Sequence, residues 1–357
     1  MSGIGPAPFA AMMLADNGAE IIRVERAGKP ADLSDAMARS RRTVPLDLKL
    51  PEDVDRLREL AAGADALIEG YRPGTMERLG IGPDQLLRDN PRLVFGRMTG
   101  WGQDGPYAPF AGHDINYISL GGALHAIGPA EFPVAPPALI GDFGGGGMMM
   151  AFALVSAILK ARETGVGQVI DCAMCDGSAL LMSALYSMHS TGDWLDCRAS
   201  NLIDGGAHFY GVYETADGKF MSVGAIEPQF YAILLDRLGL AADADFADQL
   251  DRTKWPALRQ RLAALFRLKS REEWCAIFEH SDACVAPVMT LEEAPSHPHL
   301  VARGTLVTLN GVIQPAPGPR YSETPLAHPR SSVPLGAPAP GMAAHADSGV
   351  TNAELLT

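Results

Sequence analysis

"AEIIRVER", residues 19–26, is the stretch on which the fold turns. It is short, centred on β-branched residues and flanked by runs of a different period, which makes it a strand rather than a piece of helix. Upstream, "PAPFAAMMLADNG" (6–18) spaces its apolar residues as a helix does and closes on glycine. Downstream come a strand, "RTVPLDL" (42–48), a helix, "EDVDRLRELAAG" (52–63), and two more strands, "ADALIEGY" (64–71) and "RLVFGRMTGWG" (92–102). Strand and helix in alternation are the pattern of a parallel sheet flanked by helices, so the fold class is α/β.

The pattern changes further along. "PAEFPVAPPALI" (129–140) is rich in proline, which lacks an amide donor, and reads as an extended crossing loop. A long helix is expected over 146–162 and a second over about 172–191. After residue 210, "GVYETADG" and "KFMSVGAI" read as antiparallel strands joined by a turn at Asp217-Gly218. Helices at 228–238, 255–266 and 270–279 complete a small α+β domain. From residue 304 the chain is rich in proline and glycine, and "LGAPAPGMAAHADSG" (335–349) is low-complexity.

The 357 residues exceed what one hydrophobic core usually supports, so two domains are expected. A net charge of -13 opposes nucleic acid and anionic membrane as partners and leaves small molecules. The exception is local: Arg23, Arg26, Lys29, Arg39, Arg41, Arg42 and Lys49 crowd one stretch, with Arg72 and Arg78 beyond it, a density suited to a phosphorylated ligand. The most apolar run, residues 147–159, falls short of the ~20 residues that span a bilayer and reads as a buried helix. With no charged leader and no lipidation signal, a cytoplasmic location is the expectation. Cys 5, an odd count, points to reduced thiols, and Cys172-x-x-Cys175 reads as helical core rather than a metal or redox pair.

Several residues invite chemistry, each with a plainer reading beside it. Asp142 precedes four glycines in "IGDFGGGG", where a ligand or another backbone can approach closely, yet an aspartate ahead of a helix is ordinarily a cap. No Gly-Lys-Ser/Thr follows, so this is no nucleotide P-loop. His113, in "AGHDINYISLGGALHAIG" (111–128), is by itself a histidine satisfied by hydrogen bonds at an element's edge; His125 is weaker still. Glu227 sits before Pro228 at a helix start, where a carboxylate is favourable anyway.

Read in order, "RVER", "IEGYRPGTMERLGIG", "RMTGWGQDGPY", "AGHDINYISLGGALHAIG", "IGDFGGGG" and "VGAIEPQFYA" closely resemble the α-methylacyl-CoA racemases of the family III CoA-transferase superfamily. The resemblance runs from Gly3 to about Pro329, and its His-Asp-Ile-Asn-Tyr string is specific. It implies an interlocked homodimer with a Rossmann-like large domain (1–190, with 318–345 returning to it) and a small domain (211–303). Linkers at 191–210 and 304–317 and a tail at 346–357 complete the chain, and the active site is shared between subunits. By position, His113 and Asp142 match the catalytic pair, His113 serving the S face and Asp142 the R face, and Glu227 matches a glutamate that reaches the histidine from the partner subunit. The same resemblance gives Arg26, Arg39, Arg72 and Arg78 to coenzyme A, places Tyr71 and Tyr117 in the wall, and favours backbone amides beside Asp114 as donors to the thioester oxygen, with those of the glycine run as the alternative. Coenzyme A is then part of the substrate, and no separate cofactor or metal is expected. The resemblance also implies a first, central strand ahead of "MSGIGPAP"; either the start lies upstream or another segment takes its place.

Physical reasoning supports such a pair. Inverting a carbon beside a thioester carbonyl requires removing a proton from one face and returning one to the other, so two groups are needed in opposite protonation states. Two alternatives compete: CoA transfer, with Asp142 as nucleophile forming a mixed anhydride, and acyl-CoA binding without catalysis.

Overall fold

A computed structural model describes residues 4–26, 28 and 32–337; Lys29 and the chain from 338 onward, including the 346–357 tail, lie outside the described residues. Among these, the strands in chain order are β1 Ile22–Glu25, β2 Arg42–Pro45, β3 Ala66–Glu69, β4 Val94–Thr99, β5 Gln168–Ala173, β6 Tyr210–Glu214, β7 Phe220–Gly224, β8 Val285–Val288, β9 Leu306–Leu309, β10 Val312–Pro315 and β11 Val333–Pro334. The chain divides into two compact units, one drawn from Met1–Tyr117, Ala138–Ser178 and Pro298–Thr357, the other from Ile118–Pro137 and Ala179–His297.

The first unit holds the parallel strands, as the alternation of period requires. They form two three-stranded pieces, ordered β1-β2-β11 and β3-β4-β5. β4 is buried along its whole length, which is how a parallel strand covered on both faces should look. Its pleat divides two cores: Val94 and Met98 join Met150, Leu154 and Cys172, while Phe95 joins Leu57, Leu67, Met76 and Ile81. Helix Pro6–Asp16 packs onto the helical run that begins at Leu139, and helix Met149–Thr164 lies across β4 and β5. β9 and β10 form a hairpin about Asn310-Gly311, both residues at positive φ (52° and 77°), the conformation a two-residue turn with this dipeptide favours.

Three expectations are corrected here. The helix expected from about 172 begins at Met174: Cys172 and Ala173 close β5, which is in register with β4 from Val94↔Gln168 to Thr99↔Ala173. The apolar run 169–186 carries no glycine or proline at the switch, so only the long-range pairing reveals the strand. The helix expected from 146 begins at Leu139, in π form to Met148, and continues as α-helix Met149–Thr164. The combined run of 26 residues, mean hydropathy 1.5, is long and apolar enough to cross a membrane by length and composition, although Met150, Leu154, Ala157 and Ala161 are buried in the protein's own core.

β1 and β3 belong to different three-stranded sheets, and among the described residues no strand pairs with both. Ile22, Val24, Leu67 and Ile68 instead line an apolar cleft of about 170 Å³.

The second unit is built on the antiparallel sheet β6-β7-β8. The β6–β7 turn falls at Asp217-Gly218 as expected, with Gly218 at φ 70°; β8 was not foreseen. Helices Pro228–Arg237, Trp255–Phe266 and Arg271–Phe278 cover a core of Phe209, Met221, Leu234, Phe246, Leu262 and Phe266. The last of these helices starts on a capping box between Ser270 and Glu273.

Candidate active site

The first unit brings His113, Asp114, Tyr117 and Asp142 together. His113 is the residue just before helix Asp114–Leu120; its carbonyl accepts from the Asn116 and Tyr117 amides (2.8 and 3.3 Å), and its own amide donates to Asn116 Oδ1 (3.0 Å). Its imidazole is exposed. The backbone is thus fixed by one helical turn while the ring stays available.

Asp142 lies in the first turn of the π-helical segment Leu139–Met148, a geometry that recurs at functional sites. Its carboxylate is not spent as a cap: among the described residues that helix end has no side-chain cap bond, and the Asp142 amide instead donates to Asp114 Oδ1 (2.8 Å). Burial pushes the Asp142 carboxyl above the usual carboxylate range; the Asp114 charge adds to the rise, and His113 opposes it. A carboxyl so raised is suited to holding a proton.

Neighbouring backbone shapes this pocket. An ideal Cβ on Gly5, which sits at φ 73°, would lie 2.6 Å from Asp142 Oδ2, so the carboxylate rests against bare main chain. Part of the glycine run is close-packed: a Cβ on Gly145 would meet the Gly177 and Ser178 backbone at 2.7 Å, and one on Gly147 would meet the Phe9 ring at the same distance. The Tyr117 hydroxyl donates to the Gly112 carbonyl, and its ring stands edge-on to Trp101 (centroids 4.8 Å, 87°). Burial, then Asp142, raises the Tyr117 phenol. Trp101 continues to the exposed Tyr107 and Phe110, an aromatic wall that the sequence analysis did not single out.

The arginines separate into two groups. Arg26, Arg72 and Arg78 are exposed, the last bonded to Thr75 Oγ1 (2.9 Å). Arg39 is different: it is buried, with Nε on Asp16 (3.0 Å) and Nη1 on Gln314 Oε1 (3.0 Å) and the Pro315 carbonyl (2.6 Å). Its donors hold β10 to helix Pro6–Asp16 and face no solvent. Beneath Tyr71 and Arg72 lies a network that sequence reading missed: Arg97 donates to Glu69 (3.1 Å) and Glu77 (2.6 Å), and Glu69 accepts from the Tyr71 amide (2.7 Å). The signal was an arginine and a glutamate on adjacent strands, visible only once β3 and β4 are paired in register at Glu69↔Arg97.

Glu227 belongs to the second unit, at the N-cap of helix Pro228–Arg237, with an exposed side chain and no side-chain cap bond. In that unit too, His125 pairs with Asp196 (3.2 Å) and Arg198. Cys172 lies in β5 rather than in a helix, and burial pushes its thiol up to about 12 and that of Cys175 to about 11, so neither is held as thiolate.

A sheet of this topology carrying such a histidine and carboxyl pair defines a class. The model of CoA-transferase family III matches residues 1–342, and the chain belongs to that family. Within it, the chain is 45% identical over 327 residues to the alpha-methylacyl-CoA racemases of Mus musculus and Homo sapiens, covering 91% of this chain and 85% of each of theirs. It is 29% identical over 347 residues to a succinyl-CoA–D-citramalate CoA-transferase of Chloroflexus aurantiacus, covering 89% and 85%. The fold is that of a CAIB/BAIF family protein from Brucella suis, with a TM-score of 0.78 over 93% of both chains at 24% identity.

Proposed function

We propose that this protein interconverts (R)- and (S)-2-methylacyl-CoA thioesters by removing the α-proton from one face of the α-carbon and returning a proton to the other. The observation that carries the reading is Asp142: a carboxyl raised by burial, left uncapped, and placed within electrostatic reach of an exposed imidazole. Likeness to racemases at 45% identity supports the same reading.

In the proposed reaction neutral His113 takes the α-proton of the S substrate, leaving imidazolium and an enolate. Protonated Asp142 returns a proton to the other face and becomes carboxylate; the reverse direction exchanges the roles. Charge on the enolate oxygen is met by the Asp114 amide, in the helix turn where backbone donors lack intrahelical acceptors. Arg26, Arg72 and Arg78 grip the CoA phosphates, with Tyr71 and Tyr117 as walls. Arg39 is left out of that set because its donors are bound inside the protein. The enzyme works as a homodimer in which Glu227 is supplied across subunits to steady His113. The exposed stripe Phe152, Val155 and Leu159 on helix Met149–Thr164 supports an oligomer, since a solvated apolar stripe of that kind favours burial.

The test is incubation of one enantiomer of a 2-methylacyl-CoA in D₂O. Deuterium uptake at the α-carbon with loss of optical purity is the expected result, abolished by His113→Ala or Asp142→Ala. Turnover that requires an acceptor acid means CoA transfer instead, and neither outcome means a binder.

A further inference from the structure

The five residues His113, Asp114, Ile115, Asn116 and Tyr117 do more than supply a base. Asn116 Oδ1 accepts from the His113 amide at 3.0 Å, and Asp114 Oδ1 accepts from the Asp142 amide at 2.8 Å. Both acceptors stand in the first turn of one helix. Asp142 is 28 residues away on another element. The first bond also closes the start of helix Asp114–Leu120, the second reaches a different element, and each grips the main chain of one member of the pair.

We propose that Asp114 and Asn116 are positioning residues whose side chains clamp the backbones of His113 and Asp142, fixing the gap in which the α-carbon must sit. This rests on the racemase reading for what the gap holds, but the clamp is a property of the protein alone. The physical need is clear: two groups acting on opposite faces of one carbon tolerate little error, and a displacement of ~1 Å can cost about 10²-fold in rate. Asp114 adds a second effect. Its charge sits beside Asp142 and favours the protonated form, the state from which Asp142 delivers a proton.

The clamp and the charge separate by substitution. Asp114→Asn keeps an oxygen for the Asp142 amide and removes the charge; Asp114→Ala removes both. The expectation is that Asp114→Ala lowers kcat about 10²-fold with little change in KM, and that Asp114→Asn restores most of that loss. Asn116→Ala weakens kcat in the same manner, and Asn116→Asp rescues it. In Asp114→Asn the Asp142 carboxyl, followed by ¹³C NMR of the full chain without substrate, titrates at lower pH than in the unaltered protein. An unmoved titration together with wild-type kcat in Asp114→Ala overturns the proposal. Because the NMR arm needs no turnover, failure of the racemase reading, seen as no α-proton exchange in the unaltered protein, is distinguishable from failure of the clamp.

Discussion

Gly5 is the residue whose replacement tests the site most sharply. An alanine there meets two obstacles. The backbone stands at φ 73°, ψ -115°, a region that L side chains rarely enter, at a cost of roughly 1–3 kcal/mol of stability. Its Cβ would lie 2.6 Å from Asp142 Oδ2, whereas ordinary contact begins at 3.4 Å. The difference, 3.4 − 2.6, means that the carboxylate must retreat by about 0.8 Å, and displacement on that scale is worth roughly 10²-fold in rate. Gly18→Ala supplies the control: φ is 95°, so the backbone is strained, but nothing lies within 4 Å of the added methyl. Thermal melts should show both variants destabilised, whereas α-proton exchange in D₂O, measured well below either transition, should fall in Gly5→Ala alone. Equal kcat in the two folded variants would mean that the Asp142 carboxylate takes no part at the position described, and the reaction scheme built on it fails.

Two further outcomes follow from buried groups. His208, in the core of the second unit, donates or accepts at Nε2 with the Tyr231 hydroxyl (2.7 Å), and burial lowers its pKa from 6.5 to about 4. A histidine lowered in this way is neutral in the folded state, so its contribution is full above pH 6.5 and is lost as pH falls toward 4. At about 1.4 kcal/mol per unit the loss approaches about 3 kcal/mol, read as a drop in urea midpoint that His208→Gln flattens. Arg39→Met strands the buried Asp16 carboxylate and should cost about 3–5 kcal/mol by chemical denaturation, with KM for acyl-CoA unchanged in the folded protein. A raised KM at unaltered stability would return Arg39 to the phosphate site.

Local pattern reached most of the elements but not all, and the exceptions share a cause. The β6–β7 hairpin was legible because Asp217-Gly218 sets a turn by its own chemistry, and helix 255–266 because its apolar spacing is strong. β5 was hidden because its six residues run into helix Met174–Leu181 without punctuation, and what makes them a strand is β4, some seventy residues earlier in the chain. The π-helical start at Leu139 was hidden for a related reason: the glycines that permit it look like a loop, and only their contact with Pro6, Phe9 and Gly177 shows them to be packed helix. For the site, charge and residue type named Asp142 and His113 as candidates without joining them, and the family likeness supplied the join. Arg39 misled because a buried arginine and a phosphate-binding one look alike in sequence; the carboxylate that claims it, Asp16, lies on a helix whose sequence gives no hint of the pairing.

The condition of Asp142 ties these features into one physical account. To deliver a proton near neutral pH a carboxyl must be lifted well above its usual range, and each unit of lift corresponds to about 1.4 kcal/mol of disfavoured charge. That cost is borne by the fold only if the group cannot escape into solvent or find a compensating donor. Gly5 closes one side with bare backbone, the buried glycines at 145–147 let the segment sit against its neighbours without side chains of its own, and Asp114 occupies the amide that would otherwise invite a cap. An aspartate acting as a cap at a helix N-terminus would be stabilised as the anion and its pKa lowered; at Asp142 burial and the Asp114 charge act in the opposite direction. Burial and the Asp114 charge both move Asp142 toward its protonated form, the direction that proton delivery needs and that nucleophilic attack on a thioester does not.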